Sequence, residues 1–124
     1  LVLPSAEAQA KGKDKKEWRV SPRTAKKKNP IAADQTSVDA GRQVYDAECK
    51  NCHGKAGKGD GPEAKDLDKP VRDFTTEAMW AQSDGAIAYK IRSGRRPMPS
   101  FKKMLSKDEI WHVTNYIRKT FSAK

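Results

Sequence analysis

The chain has 124 residues, enough for one domain of ordinary size and too few for a two-lobed enzyme. Hydrophobic residues make up 35% and charged residues 34%, so the polypeptide alone can build only a modest core. Twenty-six Lys and Arg against sixteen Asp and Glu give +10, which calls for either an acidic partner or a solubilising segment.

No run of about 18 apolar residues occurs, so the sequence predicts no transmembrane segment. Leu1-Val2-Leu3-Pro4 followed by Ala8-Gln9-Ala10 matches the small-x-small pattern of a signal peptidase site. Residues 1–10 are therefore expected to be the remnant of a secretion signal or a flexible N-terminus. Residues 11–36 carry nine basic and three acidic side chains, and Pro22 and Pro30 interrupt any helix. They read as an extended basic arm. Such an arm can bind nucleic acid, but a solvated segment is the commoner reading, and no nucleic-acid partner is expected. Trp18 argues against pure solvation, since a lone indole in so polar a stretch is expected to dock on this domain or another protein.

Periodic segments begin at residue 37, and residues 37–124 form the expected folded domain. A first helix is predicted from Val38 to Cys49, with Thr36 and Asp39 in a capping-box-like arrangement and Val38, Gly41, Val44 and Tyr45 on one face. Gly41 costs about 1 kcal/mol relative to Ala inside a helix, which points to a close helix crossing. A short helical turn is predicted within Thr75 to Ala81. The next helix runs from Asp84 to Ser93, capped by Ser83 and stopped by Gly94. The last runs from Lys107 to Thr120, with a Ser106/Glu109 capping box, a Leu105/Ile110 staple, and Ile110, Val113, Ile117 and Phe121 at helical spacing. With no alternating strand pattern and no internal repeat, the domain reads as all-α.

The only two cysteines stand in Cys49-Lys50-Asn51-Cys52-His53, the Cys-x-x-Cys-His pattern of c-type haem attachment. Two randomly placed cysteines would fall at this spacing in roughly 1.6% of arrangements, and the following His makes chance rarer still. Thiols at i and i+3 can add to the two vinyl groups on one edge of a porphyrin, and the adjacent imidazole then reaches the iron. A covalently held haem c would also complete the modest core. A structural zinc site wants four ligands, and only His112 remains to join these three. A thioredoxin-like pair needs a βαβ setting that the sequence lacks.

Met79, Met98, Met104 and His112 are the candidates for the second axial ligand. Met98 is favoured, because Pro97 and Pro99 stiffen its loop and leave the thioether free to point inward. Met79 and Met104 read as core fillers beside Trp80 and Leu105, and His112 as a packing residue. His53 and Met98 together would fill both axial positions, which favours electron transfer over catalysis.

On these residues the chain resembles a small monohaem class I cytochrome c of the bacterial exported kind. The resemblance spans Thr36 to Phe121 and rests on Gly41 and Tyr45, Cys49 to Gly54, Gly94-Arg95-Arg96-Pro97-Met98-Pro99-Ser100-Phe101, and Val113, Tyr116 and Ile117. Gly57 to Pro62 and Pro70 to Thr75 add to the bacterial likeness. It implies a cytochrome c-like fold around one covalently attached haem, with first and last helices crossing near Gly41 and Tyr116. It further implies that the Pro70 carbonyl accepts a hydrogen bond from His53, and that Arg72, Trp80, Arg92, Arg95 and Arg96 are candidates to meet the haem propionates. The expected function is periplasmic single-electron transfer to acidic redox partners that dock at the haem edge. The alternatives are a subunit of a respiratory or photosynthetic membrane complex, held through residues 11–36, and a haem enzyme or sensor in which Met98 leaves the iron.

Overall fold

The computed structural model describes residues 17–122; the expected signal remnant at 1–10 and the start of the arm lie outside the described residues. Among the described residues six α-helical segments follow one another: α1 (Pro22–Ala25), α2 (Gln35–Val44), α3 (Lys50–His53), α4 (Glu77–Trp80), α5 (Asp84–Ser93) and α6 (Lys107–Phe121). The only β-type pairing among the described residues is an isolated bridge between Arg95 and Met98.

The helix ends follow local chemistry. Ser83 caps α5 through the Ala86 amide, and Ser106 and Glu109 close the capping box of α6 as expected. At α2 the cap is Asp34, whose carboxylate accepts from the Ser37 amide at 2.9 Å, so the helix starts at Gln35 rather than Val38. A carboxylate there satisfies an orphan donor and also sits at the positive end of the helix dipole, which a Thr hydroxyl at position 36 cannot match. The first helix also does not run uniformly to Cys49. It widens into a π-turn over Tyr45–Cys49 before α3 delivers His53.

Helices α2 and α6 cross at Gly41, as the resemblance implied. A Cβ there would stand 2.1 Å from the His112 carbonyl oxygen and 2.7 Å from the Tyr116 Cβ. Both obstacles are parts of a buried helix that cannot step aside. Gly41→Ala is therefore expected to destabilise the protein by about 3 kcal/mol through overpacking, read as a lower guanidinium midpoint at unchanged slope. Below the crossing, Val44, Tyr45, Ile87, Ile91, Phe101, Val113, Ile117 and Phe121 form one apolar core. Tyr45 stacks obliquely against Tyr116 and Phe121, at 5.3 and 5.5 Å between ring centroids.

Residues 21–36 depart from the extended arm expected. Pro22 and its neighbours form α1, with Ser21 as N-cap and Pro at the first helical position. This short helix lies on α5: Ser83 Oγ donates to the Ala25 carbonyl at 2.6 Å, and the Thr24 carbonyl oxygen lies 2.4 Å from where a Gly85 Cβ would stand. Further on, Asn29 Nδ2 donates to Asn115 Oδ1 at 2.8 Å, and Asn115 Nδ2 donates to the Ile31 carbonyl at 3.0 Å and to Ser37 Oγ at 2.9 Å. Asn115 is buried and fully used, so this segment is a strap tied to α5 and α6.

Candidate haem site

Cys49 closes the π-turn and Cys52 lies one turn on within α3; neither is in a disulfide, both are partly buried, and Cys49 packs against the core. Burial, with the Glu48 charge next in weight, pushes the Cys49 thiol up to about 12; burial and Glu63 raise Cys52 as well. A dithiol redox pair needs a stabilised thiolate, and these surroundings do the opposite.

The His53 ring lies on Phe74, 4.2 Å between centroids and 14° between planes, and faces the Arg72 carbonyl with Nδ1 at 3.2 Å. A carbonyl can only accept, so Nδ1 carries the proton and Nε2 keeps its lone pair. Burial pushes the imidazole down from 6.5 to about 4, against the opposing pull of that hydrogen bond. Between those values the unfolded chain binds the extra proton and the folded chain does not. The folded state therefore has His53's full contribution above pH 6.5 and loses it as the pH falls toward 4. Near neutrality the imidazole is in the form a metal binds.

The acceptor for His53 is thus the Arg72 carbonyl, and the Pro70 assignment is corrected. Loop register decides it. The Gly59 amide donates to the His53 carbonyl at 2.8 Å and the Phe74 amide to the Gly57 carbonyl at 2.6 Å. With Phe74 pinned under the ring, the carbonyl two residues before it comes opposite Nδ1, and Pro70 is left exposed.

Met98 is partly buried and packs against the same core as Cys49. The Arg95 amide donates to the Met98 carbonyl at 3.0 Å, and the Met98 amide returns a bond to the Arg95 carbonyl at 2.8 Å. Ser100 Oγ donates to the Arg92 carbonyl at 2.8 Å and the Phe101 amide to the Ile91 carbonyl at 3.3 Å, which fasten the loop to the end of α5. Met79 is buried as expected, its sulfur accepting from Gln82 Nε2 at 3.2 Å. Met104 is 54% exposed and is no core filler, because Leu105 takes the inward position of that turn. His112 sits at the α2/α6 crossing, Nδ1 2.8 Å from Ser37 Oγ.

Two of the propionate candidates are brought together and the others are not. Lys90 is held below its ordinary range by burial first and then by the positive charge of Arg72, with Arg95 adding to the effect and Glu17 opposing it, so Arg72 and Arg95 converge on Lys90. The sequence reading gave Lys90 no cofactor role; no local pattern marks it, since the convergence joins three separate segments. Arg72, Arg92 and Arg96 are all exposed and Arg95 is partly buried, so it is the charge felt by Lys90 that sets Arg72 and Arg95 apart. Trp80 is corrected: its single donor, Nε1–H, is committed to the Phe74 carbonyl at 2.6 Å, with the Arg118 guanidinium 5.1 Å from its ring, and cannot serve a carboxylate.

Two cysteine thiols three residues apart and a neighbouring imidazole with a free lone pair fit covalent attachment of haem c, and Cys49 and Met98 pack against the apolar core. The family model described as cytochrome C oxidase, cbb3-type, subunit III matches residues 36–117, and the chain belongs to that family. It is a class I c-type cytochrome. Among curated relatives, cytochrome c6 of Gracilaria tenuistipitata var. liui is 29% identical over 80 residues, covering 64% of this chain and 69% of that protein. Cytochrome c6 of Pyropia tenera is 32% identical over 80 residues, 64% of this chain and 88% of the relative. A solved chain of the Kuenenia stuttgartiensis reducing HAO-like protein complex Kustc0457/Kustc0458 superposes with a TM-score of 0.66 at 33% identity; the match takes in 75% of this cytochrome and spans only 47% of the Kuenenia chain. Cytochrome c6 of the diatom Phaeodactylum tricornutum superposes at 0.50 with 25% identity, over 64% and 88% of the two chains. The cytochrome is accordingly an electron carrier with covalently bound haem c and an all-α cytochrome c fold. Among its described residues no helix is long and apolar enough to cross a membrane.

Proposed function

We propose that the chain holds a single haem through Cys49 and Cys52, ligates its iron with His53 and Met98, and passes single electrons between redox partners in the periplasm. What supports this reading most is the His53 imidazole, whose Nδ1 bond to the Arg72 carbonyl leaves the Nε2 lone pair free, together with a Met98 loop fastened by two backbone bonds to Arg95 and packed on the core. Haem supplies the one-electron iron couple. The chain would do the rest: His53 and Met98 would hold the iron and leave it no open site for a substrate, and the apolar core would keep water away. Arg72 and Arg95, joined by Lys90, form a cationic cluster suited to carboxylates such as the propionates.

Lys90, Arg92, Arg95, Arg96, Lys102 and Lys103 on one side, and Lys50, Lys55 and Lys58 on the other, flank the two ligand segments without an acid in either stretch. This positive rim suits an acidic partner. The Kuenenia likeness, which takes in more of the chain than the cytochrome c6 matches, favours a second reading as a subunit of a larger electron-transfer complex.

Stopped-flow oxidation of the reduced protein tests the rim. The rate with anionic hexacyanoferrate(III) is expected to fall as the Debye length shrinks from about 10 Å at 0.1 M salt to about 3 Å at 1 M. The Lys102→Glu, Lys103→Glu double variant should slow that reaction severalfold at low salt and speed oxidation by a cationic cobalt complex. A rate that ignores both salt and the reversals would place electron exit elsewhere.

A further inference from the structure

Trp18 has no part in the site as described so far, yet its indole lies against it. The ring is partly buried, with the Lys90 amine 5.6 Å and the Arg95 guanidinium 5.7 Å from its centroid. Arg95 is also the residue whose backbone forms both bonds to Met98. The aromatic face thus holds the side chain of the residue that fixes the Met98 loop.

Lys90 also donates to Gln82 Oε1, and the indole adds to the contacts of both cations. Lys90 feels the positive charges of Arg72 and Arg95 at once, and like charges so gathered push apart. Arg95 stands on a loop, the element best able to yield. A π face attracts both cations, and the neighbouring Glu17 carboxylate favours the charge on Lys90. The strap that carries Trp18 is anchored behind it at Ala25 on Ser83 and at Asn29 on Asn115, so the indole is presented by fixed structure.

We propose that Trp18 is a positioning residue for the axial-ligand loop: by clamping Arg95 it keeps Met98 in place and sets how readily the thioether is displaced. The inference rests on the His53/Met98 reading above. An outside ligand binds iron only in the fraction of molecules whose loop is open, so its apparent affinity reports that fraction. Loss of contact with two partly buried cations should raise the open fraction about tenfold.

The test is a titration of the oxidised, haem-loaded full chain with imidazole, followed by loss of the weak far-red band of the iron–thioether bond. Trp18→Ala should bind imidazole about tenfold more tightly than wild type. Trp18→Phe, which keeps an aromatic face, should restore most of the wild-type resistance, whereas Trp18→Leu, apolar but without a π system, should behave like alanine. Val20→Ala, a nearby strap change outside the cation contacts, should leave the titration unmoved. Equal imidazole affinity in wild type and Trp18→Ala would overturn the proposal, as would leucine protecting as well as phenylalanine. A wild-type protein without the far-red band would remove the Met98 ligand reading and this inference with it; a normal band indifferent to position 18 removes the inference alone.

Discussion

The double variant Cys49→Ala, Cys52→Ala is expected to be recovered without colour and without a stable fold. The composition sets up this outcome, since 35% hydrophobic residues spread over 124 positions leave a core that relies on an added apolar body. Cys49 already packs against that core, so a thioether formed there joins the haem directly to the buried side chains. Burial, with the Glu48 charge next in weight, pushes the Cys49 thiol up to about 12 in the folded chain, so the folded surroundings favour the neutral thiol near neutral pH. Each single variant should retain one bond and a sharply reduced yield of holoprotein. Haem stain after denaturing electrophoresis checks all three proteins: strong for wild type, weak for the single variants, and none for the pair. Stain retained by the double variant would show that the attachment reading is wrong.

Such a variant also separates what could be read locally from what could not. Ser83, Ser106 with Glu109, and Gly94 announce their helix ends because capping is chemistry within four residues, and α5 and α6 begin where those signals place them. Gly41 was legible for a similar reason: a glycine on the apolar face of a helix is costly unless something passes close by, and His112 and Tyr116 do. The start of α2 was misread because Asp34 and Thr36 are both acceptable caps, and only the Ser37 amide decides between them. The partner of His53 was missed by two residues. Its register depends on the Phe74 amide reaching back to Gly57, and no periodicity in the sequence encodes that bond. Residues 11–36 read as an extended basic arm because the contacts that fold their second half, with Ser83, Gly85 and Asn115, are made by residues far along the chain. Where pattern and chemistry share one short segment the sequence is readable, and where a loop is held by a distant backbone it is not.

Met98→Ala is expected to abolish the far-red iron–thioether band completely while leaving the covalent haem in place. The substitution deletes a soft ligand that favours the reduced iron, so the reduction potential should fall well below that of wild type. It should leave the fold largely intact: the paired bonds to Arg95 are made by the backbone, and the anchors from Ser100 and Phe101 do not involve the thioether. The vacated position then admits imidazole without any opening of the loop, and residue 18 should lose its influence. In the Met98→Ala background, Trp18→Ala should bind imidazole as the Trp18 protein does, because there is no longer a ligand whose departure the indole can resist. Spectral titration of the four proteins in this cycle measures the coupling directly. If Met98→Ala keeps the wild-type spectrum while His112→Ala changes it, the sixth ligand is His112. That result would require the α2/α6 crossing to open, because His112 is engaged there with Ser37 and its carbonyl lies against Gly41.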